Sequence, residues 1–178
     1  MVTNAERDLV SRAKAGDRNA FDELVGPHID QAFRLAFGML HDRGAAEDAV
    51  QEAAVRSWRK LNNLRPGTSL RPWFLAIVAN QCRTAMRSRW WSVLRVGSPE
   101  GSWSAGFEDR IVRGADLRAA LRRLGPDQRE ALILHYYLDL PLEETAAITG
   151  VPVGTVKSRL SRGIAALRPH IKSLEALT

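Results

Sequence analysis

LPLEETAAITGVPVGTVKSRLSRGIAALR, residues 140–168, decides how the rest of the chain is read. Its pattern predicts two short helices joined by a tight turn: 142–149, then Gly150-Val151-Pro152, then 153–167. Ala146 is small enough to let the helices approach. Gly150 suits the left-handed backbone that such a turn requires. Pro152 presets φ at the first helical position, where its missing N–H costs nothing. Val156 and Leu160, four residues apart, pack inward. Lys157, Ser158, Arg159, Ser161 and Arg162 point outward. A helix that is apolar on one side and lined with cations and hydroxyls on the other is what a DNA major groove accepts. An ordinary amphipathic helix with a solvated basic face has the same periodicity. The Gly-x-Pro turn and the dense donors after it favour the DNA reader.

The 178 residues suit one large or two small domains, and 45% hydrophobic content is enough for real cores. The formal net charge of +6, with a pI of about 10.2, favours a polyanionic partner. The one cysteine, Cys82, excludes an intrachain disulfide and a multi-cysteine zinc site, and its apolar-periodic surroundings make it a small buried hydrophobe. His28, His41, His135 and His170 lack metal-ligand spacing, so no metal or other cofactor is expected. Glu6, Arg7 and Asp8 interrupt the N-terminus before an export signal could form, and no run reaches the length of a membrane span. These features predict a soluble, cytoplasmic protein without membrane insertion.

Helical periodicity runs through both ends of the chain, and no period-two strand pattern persists. A short helix is expected over 8–15, ended by Gly16. A longer one over 17–40 has Phe21, Leu24, Val25, Ile29, Phe33, Ala36, Phe37 and Leu40 inward, with a break or kink at Gly26-Pro27. The segment 42–61 places Ala46, Ala49, Val50, Ala54 and Trp58 on one side. Its acids, Asp42, Glu47, Asp48 and Glu52, lie toward the N-terminus and its bases, Arg56, Arg59 and Lys60, toward the C-terminus, which complements the helix dipole. Asn62 to Arg71 reads as a loop, and Pro72 opens a helix carrying Trp73, Phe74, Ile77, Val78, Cys82 and Met86. Residues 71–95 hold five arginines and no acid. Arginines neutralise phosphate, aromatics stack on bases and amides such as Asn80 read base edges, so this loop and helix suit a single-stranded nucleic acid. Trp73 serves both packing and an exposed edge, whereas Trp90-Trp91 reads as core or domain interface.

Residues 96–114 are rich in Gly and Ser and read as a linker, with Trp103, Phe107 and Ile111 as possible anchors. Short helices are then expected over 116–124 and, after Gly125-Pro126, over 127–138, the latter supplying Leu132, Ile133, Tyr136 and Tyr137 to a core. Pro169 ends or bends the last helix. The expectation is an all-α chain of two small helical domains joined by a flexible linker.

Three motifs in order, AAEDAVQEA (45–53), RPWFLAIVANQCR (71–83) and the opening stretch, resemble the extracytoplasmic-function group of bacterial sigma factors, over nearly the whole chain. The resemblance implies a promoter-specificity subunit, not an enzyme, with region two within 1–92, a linker at 93–114 and region four within 115–178. It implies core RNA polymerase as one partner, held through Glu47, Asp48, Gln51 and Glu52. It implies promoter DNA as another. The melted −10 element would meet Asn62, Asn63, Arg71, Trp73, Asn80, Arg83 and Arg87, and the −35 duplex would meet Thr155, Lys157, Ser158, Arg159, Ser161 and Arg162, with Arg159 on phosphate. It also implies an anti-sigma factor. Two departures stand out: Ala53-Ala54-Val55 where an aromatic is common, and Ser161 where relatives carry larger residues.

Two other classes fit parts of the chain. A stand-alone helix-turn-helix regulator would explain residues 140–168 but leaves the first domain without a ligand-pocket signature. An enzyme on nucleic acid would need paired carboxylates or a metal cluster. Glu47, Asp48 and Glu52 share one helix without histidine support and suit protein docking better.

Overall fold

Three N-terminal helices each begin where a short polar side chain caps exposed backbone N–H groups. Thr3 Oγ1 accepts from the Glu6 N–H at 3.1 Å and opens α1 (Asn4–Lys14). Asp17 Oδ1 accepts from Ala20 at 3.1 Å and opens α2 (Arg18–Leu40). Asp42 Oδ1 accepts from Ala45 at 2.8 Å and opens α3 (Arg43–Lys60). The fourth helix, α4 (Leu70–Val96), takes its cap from elsewhere in the chain: Glu6 Oε1 accepts from the Leu70 N–H at 2.8 Å. That carboxylate also complements the positive end of the helix dipole. The structure, a computed structural model, describes residues 3–96 and 124–175. The expected linker, with Trp103, Phe107 and Ile111, and the helix expected over 116–124 lie outside the described residues, Leu124 apart, as do the side chains of Trp90 and Trp91.

The element boundaries correct the sequence reading in specific ways. α1 starts at Asn4, four residues before Asp8, because Thr3 supplies a cap. α4 starts at Leu70, so Arg71 lies in the helix and not in the loop, because Glu6 caps it from a distance. α2 passes through Pro27 without a break. Gly26 and Pro27 are both solvent-exposed, so water can reach the backbone that the proline leaves unbonded.

α2, α3 and α4 pack mutually around one core, with α1 against α2. α3 offers mainly small residues to it (Ala46, Ala49, Val50 and Ala53), which lets α2 and α4 approach and bury Leu35, Phe37, Phe74, Leu75 and Val78. Phe21 meets Trp58 edge to face, centroids 5.1 Å apart. Ile29, expected inward, is exposed, and Phe33 is only partly buried, stacked beside Phe37. The rest of the expected seam, Phe21, Leu24, Val25, Ala36, Phe37 and Leu40, is buried, and Ala32, Leu35 and Met39 widen the buried face beside it.

The second module has α5 (Pro126–Leu132), α6 (Leu142–Thr149) and α7 (Val153–Glu175). The single helix expected over 127–138 instead changes to a π-helical turn at Ile133–Tyr137. There the Leu138 N–H reaches back to the Ile133 carbonyl at 2.9 Å. The wider turn leaves Tyr136 exposed instead of in the core. Gly150 takes φ +72°, as the turn between α6 and α7 requires. Pro152 closes the turn just before α7, and its carbonyl accepts from Thr155 and Val156. α7 continues through Pro169 to Glu175. A methyl group on Gly163 would sit 2.9 Å from Leu132 Cδ1, so this glycine sets how closely α7 crosses α5.

All described residues are helical or irregular, without strand. Within the second module Ala131, Val156 and Leu160 form a small core of their own, but the modules also share buried surface. Ile133, Leu134, Leu138, Leu140 and Ile148 belong to the same buried cluster as the core of the first module. α4 runs against α6, and α2 against α5.

Candidate nucleic-acid interface

The outward face of α7 is formed as its sequence predicts. Val156 is fully buried and Leu160 nearly so, which leaves Lys157, Ser158, Ser161 and Arg162 exposed on the opposite side. Arg162 Nε donates to the Ser158 carbonyl at 3.1 Å, which steadies the guanidinium along the helix surface. Arg159 is placed differently from its neighbours. Its side chain is 16% exposed and pairs with Asp127 of α5 at 2.5 Å, so here it braces α7 against α5. Thr155 is partly buried at the start of the helix. A groove of about 580 Å³ runs beside this face, bounded by Lys157, Ser161 and Arg168 and floored by Leu142, Leu160 and Ile164.

In the first module, Asn62 and Asn63 form an exposed 3₁₀ turn (Leu61–Asn63) after α3. Beyond it the chain turns at Gly67, φ +79°. Lys14 Nζ donates to the Leu64 carbonyl at 2.8 Å and ties this loop to α1. Between α1 and the loop lies a cleft of about 420 Å³, bordered by Arg7, Ser11, Lys14, Arg65 and Thr68. The contribution of α1 to this cleft has no signal in the sequence, because Arg7 and Lys14 are some fifty residues from the loop and only the fold brings them together.

The candidate residues of α4 divide into two groups. Asn80 and Arg87 are exposed, and Trp73 is partly buried against the core. Arg71 and Arg83 are instead engaged by the second module. Arg71 Nη2 lies 2.5 Å from Glu144 Oε2 on α6. Arg83 holds Glu130 of α5 through two parallel contacts, Nη2 to Oε1 at 2.5 Å and Nε to Oε2 at 3.1 Å, and Glu130 is 2% exposed. Burial works against the charge of Arg83, but the hydrogen bonds and negative charge of Glu130 outweigh it and hold the guanidinium above its ordinary pKa. Arg83 also reaches the Asn80 side-chain oxygen. His28, half-buried on α2, is pushed below its ordinary pKa by burial and then by the charge of Arg71.

On α3, Glu47, Asp48, Gln51 and Glu52 are all exposed on one side. Glu47 pairs with Arg43 and Glu52 with Arg56, each four residues away. Val55, 45% exposed, continues this face as an apolar spot. Among the described residues, no three His, Cys, Asp or Glu side chains group as a metal site, and no helix is long and apolar enough to cross a membrane.

Residues 24–92 match the family described as Sigma-70 region 2, and residues 115–167 match Sigma-70, region 4. The chain is 36% identical over 137 residues to the ECF RNA polymerase sigma factor EcfG of Rhodopseudomonas palustris, covering 74% of this chain and 73% of that one. The chain belongs to the ECF sigma factors of the sigma-70 family. This sigma factor is also 35% identical over 167 residues to the ECF RNA polymerase sigma factor SigE of Mycolicibacterium smegmatis, with 88% of the present chain covered; it spans 64% of the length of that relative. Its structure is similar to that of the sigma factor RpoE in complex with the anti-sigma factor NepR from Bartonella quintana. The TM-score is 0.73 at 29% identity, covering 85% of this chain and 96% of that one. It shares its fold with CnrH, solved in complex with the cytosolic domain of CnrY, at a TM-score of 0.71 and 24% identity.

Proposed function

We propose that this sigma factor is a dissociable, cytoplasmic promoter-specificity subunit. It binds core RNA polymerase and directs initiation at promoters with separated −35 and −10 elements. The observation that carries this reading is the α6–Gly150–α7 unit. Its second helix presents Lys157, Ser158, Ser161 and Arg162 to solvent while Val156 and Leu160 are buried beneath. Such a helix contacts duplex phosphates and base edges at once, and its affinity falls as salt rises.

The melted −10 strand falls to the first module. Asn62 and Asn63 lie at the loop, and Arg71, Trp73, Asn80, Arg83 and Arg87 along α4 supply charge, stacking and amide donors. Taking a base out of the stack costs a few kcal/mol, and a pocket recovers that cost. The cleft between α1 and residues 64–68 is the space available for it. Glu47, Asp48, Gln51 and Glu52 form the polymerase-docking face of α3. The regions divide at 1–92, 93–114 and 115–178. The likeness to a sigma factor bound by an anti-sigma factor supports control by such a partner. The family reading makes the chain a specificity subunit and assigns it no catalysis of its own.

Run-off transcription with purified core polymerase on a library of promoter fragments tests this. Start sites sharing two elements, seen only when this chain is added, are the expected result. Tight duplex binding by the chain alone with no initiation would overturn the assignment in favour of a stand-alone regulator.

A further inference from the structure

The two modules meet through carboxylates that occupy two of the arginines assigned above to single-stranded DNA. Arg71 pairs with Glu144, and Arg83 takes Glu130 through two of its guanidinium nitrogens, Nε and Nη2. Arg83 Nη2 also reaches the Ile148 carbonyl of α6, and Gln31 of α2 reaches the Leu138 carbonyl, each at 3.5 Å. A guanidinium fork recognises carboxylate and phosphate by the same planar geometry. Beside these pairs, Ile133, Leu134, Leu138, Leu140 and Ile148 close the apolar seam between the modules.

Resting on the assignment of Arg71 and Arg83 to the melted strand, we propose that the free chain inhibits itself, Glu130 and Glu144 standing where strand phosphates would bind on α4. The apolar seam supplies adhesion and the two ion pairs fix its register. Both acids belong to the same chain as the arginines, so they act at a high effective concentration against an outside polyanion. The strand then binds only the open fraction of molecules, and its apparent affinity is reduced by that fraction. A partner that requires the modules apart, as separated promoter elements do, shifts the population toward the open form, and a partner that clasps both modules together shifts it back.

The test uses the full chain labelled at Lys60→Cys on α3 and Ala166→Cys on α7, both exposed positions outside the proposed contacts. Cys82 is buried and does not compete for the label. Inter-label distance reports closure, and a fluorescent single-stranded oligonucleotide reports strand binding. Glu144→Gln is expected to lengthen the distance and to raise oligonucleotide affinity about 3- to 10-fold, as release of a closed fraction would. The paired reversal Arg71→Glu with Glu144→Arg is expected to restore the short distance without restoring affinity. Glu130 is buried, so Glu130→Gln is added only after circular dichroism shows a native helical fold, and it is expected to enlarge both effects. Unchanged distance in Glu144→Gln, with helicity intact, overturns the latch itself. A longer distance with no gain in oligonucleotide affinity overturns the assignment of Arg71 and Arg83 to the strand, and the self-inhibition with it.

Discussion

Gly163 and Gly154 lie on the same helix and call for opposite outcomes. A side chain at Gly163 would strike Leu132, whereas nothing lies within 4 Å of a methyl group at Gly154. Gly163→Val is expected to destabilise the chain by about 1–3 kcal/mol through overpacking. Gly154→Ala is expected to stabilise it by about 0.5 kcal/mol through reduced backbone freedom in the unfolded state. Urea midpoints at constant slope measure both. Cys82 makes a second residue-scale case. Burial first, and then the charge of Glu130, push its thiol up to about 12. A raised acid pKa means that folding favours the neutral thiol. Its contribution is complete below the ordinary thiol value near 9 and is lost as pH rises toward about 12. Native protein at pH 8 is therefore expected to resist maleimide and to label fully in denaturant. Rapid native labelling would show that the α4 core opens there.

At the scale of the element, α7 carries the most specific expectation. Arg162 is exposed and, among the described residues, is steadied by Ser158, so its removal leaves the packing of the helix intact. Arg162→Ala is expected to weaken upstream promoter binding by about 1–3 kcal/mol. An unchanged footprint at the −35 element would rule out this placement of α7. Arg159 contrasts with it, since its pairing with Asp127 ties it to the joint between α5 and α7. Two arginines three residues apart on one helix thus differ in their surroundings, because Arg159 meets a neighbouring element and Arg162 does not. On α3 the exposed acids precede Val55, whose 45% exposure adds apolar area to an otherwise charged face. Aromatic and aliphatic anchors at the centre of an interface usually carry more binding energy than its charged rim. Asp48→Arg reverses charge on that face without touching the core. It is expected to lower affinity for core polymerase in a pull-down while leaving duplex binding by the second module intact.

Across the whole molecule, the shared core is the feature with the widest consequences. Five apolar residues of the second module are buried with the core of the first, and a buried carboxylate, Glu130, sits at their junction. Leaving either member of such an ion pair unpaired costs about 3–5 kcal/mol, so the junction tolerates separation only when both charges reach water or new partners together. The basic surface is therefore unevenly available. The arginines at the junction are engaged by acids of the same chain, while Lys157, Arg162 and Arg87 face solvent.

The all-helical class, the helix-turn-helix at 142–167 and the exposed donors of α7 were legible in the residues alone. Gly150, Pro152 and the spacing of Val156 and Leu160 are local signals, and local signals survive without knowledge of the neighbours. The order of the three motifs was equally legible. What the residues could not disclose is every relation made between distant segments. Glu6 caps α4 sixty-four residues away, Lys14 holds the loop at Leu64, and Glu130 and Glu144 claim Arg83 and Arg71. Tyr136 and Ile29 carry the same lesson, for each has a helical position that a regular period would bury, and a π-turn or the choice of neighbouring helix exposes it. A hydrophobic period says which side of a helix is apolar. Which element covers that side, and which charge meets which, follows from packing in three dimensions, and here that packing decides which arginines of α4 are already paired within the chain.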